Sequence, residues 1–169
     1  MNERNIRLRR LQEQETPEIA EMIREMGPGE NGFVNGLYSE TEQGYAQKLR
    51  ENAQIAEGDN LPPGLVRQRI YWLYDGDVPV GYGKLRFELT EALREHGGHI
   101  GYAIRPSQRG KGYGVDMLRS LLGEARNIGL DRVLLTCDAG NAASRRIIER
   151  CGGEPDERPG DSCKYWIEL

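Results

Sequence analysis

The residues best suited to chemistry lie in "RPSQRGKGYG", Arg105 to Gly114, where Gly110, Gly112 and Gly114 alternate with Arg109, Lys111 and Tyr113. An apolar run, "GYAI", precedes the stretch and "VDMLRSLLGEA" follows it. A strand that turns through glycines into a helix leaves backbone N–H groups unpaired at the helix N-terminus, where the helix dipole favours negative charge. Glycines lack Cβ atoms, so an anion can approach this backbone closely, and Arg109 and Lys111 add charge. The chemistry indicated is phosphate binding. A Walker loop requires Ser or Thr after Gly-Lys, but Lys111 is followed by Gly112. A dinucleotide fingerprint, G-x-G-x-x-G, requires glycine at the sixth position, which is Val115 counted from Gly110 and Met117 counted from Gly112. Both patterns are excluded.

The elements around this loop follow from periodicity. "NIRLRRL" alternates apolar and basic residues and predicts a half-buried first strand. Thr16 and Pro17 open a helix striped by Ile19, Met22, Ile23 and Met26, which Gly27-Pro28-Gly29 ends. "GENGFVNG" reads as a loop, and Ser39 with Glu42 reads as a capping box opening a second helix. Two β-branched and aromatic runs around Asp75-Gly76-Asp77 predict a hairpin. "GGHIGYAIRP" is a further strand, and Gly114, Met117, Leu118, Leu121, Leu122 and Ala125 form one face of a helix. "DRVLLTCD" is apolar on both faces, as expected of a central strand with a neighbour on each side. A helix capped by Asn141 and a last strand, "CKYWIEL", follow, with one more short strand expected near Glu154. The order is that of an α/β domain.

Bulk properties narrow the function. A chain of 169 residues fits a single domain, 1–169. With 23 basic against 27 acidic residues the net charge is -4, which argues against nucleic acid or an anionic membrane as partner and makes any anion site local. Cys137, Cys151 and Cys163 show neither paired nor metal-type spacing, so no metal is expected. Without a signal-like N-terminus or a long apolar run, the expected location is the cytoplasm.

The pattern R-x-x-G-x-G, Arg109 to Gly114, with Gln108 before it and "AIRP" upstream, resembles the acetyl-CoA loop of the GNAT superfamily of N-acyltransferases, in a bacterial branch. That family's signature is Q/R-x-x-G-x-G/A. "LLTCDAGNAASRRIIERCGG" is similar to its next strand and helix, with Asn141 at the family's N-x-x-A/S pattern. The resemblance runs from Gln68 to Leu169 through motifs and from Asn5 to Gly58 by element order. It implies an α/β (α+β) GNAT fold: one mixed, mostly antiparallel sheet of six to seven strands, splayed at the acetyl-CoA site and flanked by about four helices. It implies acetyl-CoA as acyl donor, held by Arg109, Gly110, Lys111, Gly112, Tyr113 and Gly114 at the pyrophosphate. Tyr102, Ala103 and Ile104 would pair their backbone with the pantetheine arm, an N–H near Ile104 would polarise the thioester carbonyl, and Asn141 would hold the arm from the other side.

The implied reaction is direct acetyl transfer to a primary amine of a small molecule or peptide, by an enzyme class in which homodimers are common. Much of the family places an acid tyrosine seven residues after the asparagine, and here that position is Ile148. Tyr165 is the substitute on the last strand. His99 is the base candidate, since many members carry a glutamate near this point of the strand, and an imidazole titrates near neutral pH; its alternative role is a hydrogen-bonded sheet histidine. His96 reads as exposed beside a Gly-Gly turn. Lys84 and Arg86 share one strand face and could bind an acidic acceptor, or form a solvated face. Cys137 reads as a structural thiol. Two alternatives stay open: a GNAT-like module that senses acetyl-CoA without turnover, and a nucleotide-phosphate enzyme of another class on the same loop.

Overall fold

A computed structural model describes residues 3–59, 61–156 and 162–169. Strands β1 (Ile6–Arg10), β4 (Gln68–Asp75), β5 (Val78–Arg86) and β6 (Ile100–Ile104) pair in the order β1-β4-β5-β6. Strands β7 (Arg132–Cys137), β8 (Glu154–Pro155) and β9 (Cys163–Glu168) pair as β7-β9-β8. All of these ladders are antiparallel. The seven strands thus form one layer parted between β6 and β7, the splay that the resemblance implies.

The described residues form five α-helices, α1 (Pro17–Met26), α2 (Glu42–Glu57), α3 (Glu91–Glu95), α4 (Tyr113–Asn127) and α5 (Ala142–Arg150), of which α1, α2, α4 and α5 pack on this layer. The alternation of β4 explains why both faces are covered. Ile70, Trp72 and Tyr74 pack with Ile19, Met22 and Ile23 of α1 and Leu49 of α2, while Tyr71 and Leu73 pack with Met117, Leu118 and Leu121 of α4. Among the described residues no helix is long and apolar enough to cross a membrane.

The structure departs from the sequence expectation in four places. "GENGFVNG" is not a plain loop: β2 (Gly29–Glu30) and β3 (Phe33–Val34) form a small hairpin turned by Asn31 and Gly32, both at positive φ. Asn-Gly between two residues able to pair is the type I′ turn signal, hidden here by the shortness of the strands. The cap of α2 is Thr41, whose hydroxyl accepts from the Gly44 N–H, while Ser39 accepts from the Thr41 N–H. A fifth helix, α3, is capped by Thr90. Finally, among the described residues the ladder partner of β7 is β9, and β6 meets β7 at one end through His99 and Leu134 without forming a ladder with it.

Candidate active site

The site begins where β6 and β7 touch. The His99 N–H donates to the Leu134 carbonyl at 2.8 Å, the Leu134 N–H donates to His99 Nδ1 at 2.9 Å, and the Gly97 N–H donates to Thr136 Oγ1 at 2.7 Å. Beyond this junction the strands separate around a cleft of about 740 Å³. Its walls are β6, the end of β7, the loop from Gln108 to Gly114, the start of α5, and the β2–β3 hairpin.

The free edge of β6 is read from its register with β5. The Arg86 N–H donates to the His99 carbonyl and the Arg105 N–H to the Val80 carbonyl, with Gly101 opposite Lys84 and Ala103 opposite Tyr82. Alternation in an antiparallel ladder then turns the backbone groups of Gly101 and Ala103 toward β5 and those of Tyr102 and Ile104 toward the cleft. Tyr102 and Ile104, not Ala103, therefore present N–H and C=O groups that an extended ligand could pair with. Ala103 lines the cleft without them.

The glycine loop closes one end. Gly110 and Gly112 adopt φ of 77° and 85°, a left-handed backbone that side chains disfavour. Gly112 caps α4 with no side-chain hydrogen bond, so among the described residues the first N–H groups of α4 have no side-chain cap. Nothing lies within 4 Å of where a Cβ on Gly110 would stand, which leaves room for a ligand against the backbone. A Cβ on Gly114 would lie 2.5 Å from Ile147 Cδ1, so this glycine serves the contact of α4 with α5. Arg109 pairs with Glu30 of the hairpin across the cleft, and its Nε donates to the Ile104 carbonyl at 3.3 Å. Lys111 lies outside the lining and donates to Gln108 Oε1 at 3.0 Å. The Tyr113 hydroxyl donates to Asp75 Oδ2 at 2.6 Å, which locks the first turn of α4 to the sheet. Opposite, Asn141 caps α5 by accepting from the Ser144 N–H at 3.2 Å and also lines the cleft.

The two residues expected to do acid–base work lie elsewhere. His99 is 7% exposed and outside the cleft lining, with Nδ1 occupied by the Leu134 N–H. Burial, then the charges of Arg94, Arg86 and Arg132, push its pKa down to about 4, so it is a weak base held neutral as a sheet clamp. Tyr165 is also buried outside the lining; its hydroxyl accepts from Arg145 Nε at 3.1 Å and donates to Glu149 Oε1 at 3.0 Å. The histidine that does line the cleft is His96, exposed at its rim.

Three further residues face the cleft. The Tyr102 hydroxyl is buried with no hydrogen bond of good geometry; Ser144 is its polar neighbour, and burial raises its pKa to about 12. Cys137 lines the cleft as a half-buried free thiol, pushed up to about 11 first by burial and then by Cys163, so it is poorly disposed to form a thiolate. Ile148, at the position where much of the family places a tyrosine, is 1% exposed and apolar. Among the described residues no group of three or more His, Cys, Asp or Glu could hold a metal.

The donor set fits a long, phosphate-bearing, extended ligand: uncapped N–H groups at one end, a free strand edge in the middle, and an amide opposite. Comparison with known proteins agrees. Residues 5–154 match the acetyltransferase (GNAT) domain. L-methionine sulfoximine/L-methionine sulfone acetyltransferases of Pseudomonas paraeruginosa and Pseudomonas aeruginosa are 39% identical over 92 residues, covering 52% of this chain and 51% of each relative. The match thus spans about half the length of these curated relatives. Among solved structures, the RimL ribosomal L7/L12 alpha-N-protein acetyltransferase in complex with coenzyme A superimposes with a TM-score of 0.73 at 15% identity, covering 97% of this chain and 94% of that one. The yncA protein of Salmonella typhimurium with its cofactor acetyl-CoA gives 0.63 at 17% identity, covering 97% and 94%. These likenesses carry the fold, and the domain match carries the family. The chain belongs to the GNAT acetyltransferase family.

Proposed function

We propose that this chain is an acetyl-CoA-dependent N-acetyltransferase that transfers acetyl directly to a primary amine of a small molecule or peptide, with the elements from β1 to β9 acting as one catalytic domain. The observation that carries the reading is the splayed β6–β7 cleft closed by an uncapped glycine loop at the start of α4. Acetyl-CoA supplies the activated acyl group. The α4 N-terminus and Arg109 take the pyrophosphate, the edges of Tyr102 and Ile104 align the pantetheine arm, and one of their N–H groups faces the thioester oxygen. Asn141 fixes the arm from α5.

The attacking amine must be neutral, whereas a free alkylammonium has a pKa of roughly 10. His96, the imidazole at the cleft rim, is assigned the proton. With Ile148 unable to donate, the buried Tyr102 hydroxyl is assigned to protonate the departing thiolate. Relatives differ in acceptor: some are named for amino-acid analogues and others for a ribosomal protein N-terminus. Ile148 also favours a second reading, a module that binds acetyl-CoA without turnover.

Calorimetry with acetyl-CoA and with ATP, followed by CoA release in the presence of an amine panel, tests these readings. Acetyl-CoA binding with amine-dependent CoA release is expected. Tight acetyl-CoA binding without release by any amine selects the sensor, and ATP binding in its place selects another enzyme class.

A further inference from the structure

Lys84 and Arg86 project from the same face of β5 into the cleft. Lys84 is 9% exposed and Arg86 half-buried, yet among the described residues neither forms an ion pair. Lys84 Nζ donates to the Val34 carbonyl of the hairpin and stands 4.6 Å from the centre of the Phe33 ring. Arg86 donates through Nε to Gln68 Oε1 at 3.0 Å and through Nη1 to the Gly97 and Gly98 carbonyls at 3.2 and 3.1 Å. An ammonium has three donors and a guanidinium five, so two hydrogens on Lys84 Nζ and the Nη2 group of Arg86 are left for a ligand.

Two buried cations side by side are costly. Burial first, and then the Arg86 charge, lower the Lys84 pKa to about 8. Proteins ordinarily pair such charges. The carboxylates lining the same cleft are placed elsewhere: Glu30 pairs with Arg109, and Asp138 lies beside the Gly32 turn. On the donor placement proposed above, the phosphates of acetyl-CoA would not reach this end either. Lys84 is opposite Gly101 and Arg86 is bonded to His99, so at about 3.3 Å per residue they lie roughly 10 to 17 Å along β6 from Ile104, where the phosphate loop begins.

We infer that Lys84 and Arg86 form the acceptor-anion subsite, and that the acceptor is a free amino acid or a close analogue whose carboxylate they bind while its amine faces the thioester. The inference rests on the acetyltransferase reading above and deepens it. Phe33, Val34 and the stem of Lys84 would border the rest of the acceptor, and the β2–β3 hairpin would cover it.

The test measures kcat/KM with acetyl-CoA for the standard L-amino acids and for their C-terminal amides, in wild type, Lys84→Met and Lys84→Arg. In wild type at least one amino acid should be favoured over its amide by on the order of 100-fold. Lys84→Met should erase that preference by raising KM for the acid far more than for the amide, with acetyl-CoA affinity unchanged, and Lys84→Arg should restore part of it. Amides used as well as acids would overturn the inference, as would equal losses on acid and amide, or a weakened acetyl-CoA affinity in Lys84→Met. If none of these amines is turned over, the amine panel above decides the acetyltransferase reading separately, and calorimetry of the same amino acids decides the subsite. Binding of acids over amides that Lys84→Met abolishes upholds it, and absence of such binding overturns it.

Discussion

In the acetyltransferase proposed above, the ligand-facing groups on the donor side of the cleft are backbone and those on the acceptor side are side chains. The donor half is made by Tyr102, Ile104 and the Gly110–Gly114 loop, where φ angles and missing Cβ atoms shape the surface. The acceptor half is made by Phe33 and Val34 of the hairpin, Lys84, Arg86 and His96, brought together from three separate parts of the chain. A backbone site tolerates few changes in conformation, whereas a side-chain site can be rewritten residue by residue. One fold can therefore keep its donor and change its acceptor.

Gly112→Glu should break the donor half most severely. It forces a side chain onto a residue at φ 85° and puts a carboxylate at the start of α4, and we expect acetyl-CoA affinity to fall about 1,000-fold or more by calorimetry. An unchanged Kd would remove the donor assignment.

On the acceptor side, the Lys84 pKa makes a stability prediction. Because its folded value lies near 8, below the ordinary lysine value, the unfolded chain binds more protons between these pH values. Stability therefore rises as pH climbs through that window and is lost as it falls toward 8, by up to ~3 kcal/mol. Denaturation by urea should show Lys84→Met more stable than wild type at pH 7.5 and the gap closing near pH 10. An equal or growing gap would mean the ammonium is not penalised by burial.

The histidines sharpen the comparison, since His96 faces the cleft and His99 closes the sheet. His96→Gln should lower kcat/KM by roughly 10- to 100-fold with little change in stability. His99→Gln should instead cost about 2 kcal/mol of stability, by loss of the acceptor for the buried Leu134 N–H. The folded His99 pKa near 4 also means that stability is lost as pH falls from about 6.5 toward 4, and this acid slope should be shallower in the variant. Rate loss confined to His99→Gln would return the catalytic role to His99.

The smallest effect is expected where the halves touch. Glu30 holds Arg109 in a half-exposed ion pair, worth about 0–1 kcal/mol. Glu30→Gln should free Arg109 for phosphate and tighten acetyl-CoA binding by no more than about 5-fold, with the gain fading as salt is raised.

How far each part could be read in advance follows from this division. The strands, the hairpin at Asp75 to Val78, α1, α4, α5 and the glycine loop depend on local periodicity and on residues next to one another, and the structure has them in place. The Asn31-Gly32 turn was legible too, but strands of two residues give no alternation to announce them. The sequence could not distinguish His99 as base from His99 as clamp, because the difference lies in the Leu134 N–H, 35 residues away. Tyr165 likewise is bound by Arg145 and Glu149 on another element. Lys84 and Arg86 read as a candidate anion site or a solvated face until the hairpin and the Gly97-Gly98 turn were seen to enclose them. Local spacing by itself determined the strand–loop–helix proposed to receive the acyl donor, since that site is backbone and its geometry is written in adjacent glycines. Only the tertiary structure decided which side chains face the cleft, since burial and charge pairing depend on contacts between residues far apart in the chain.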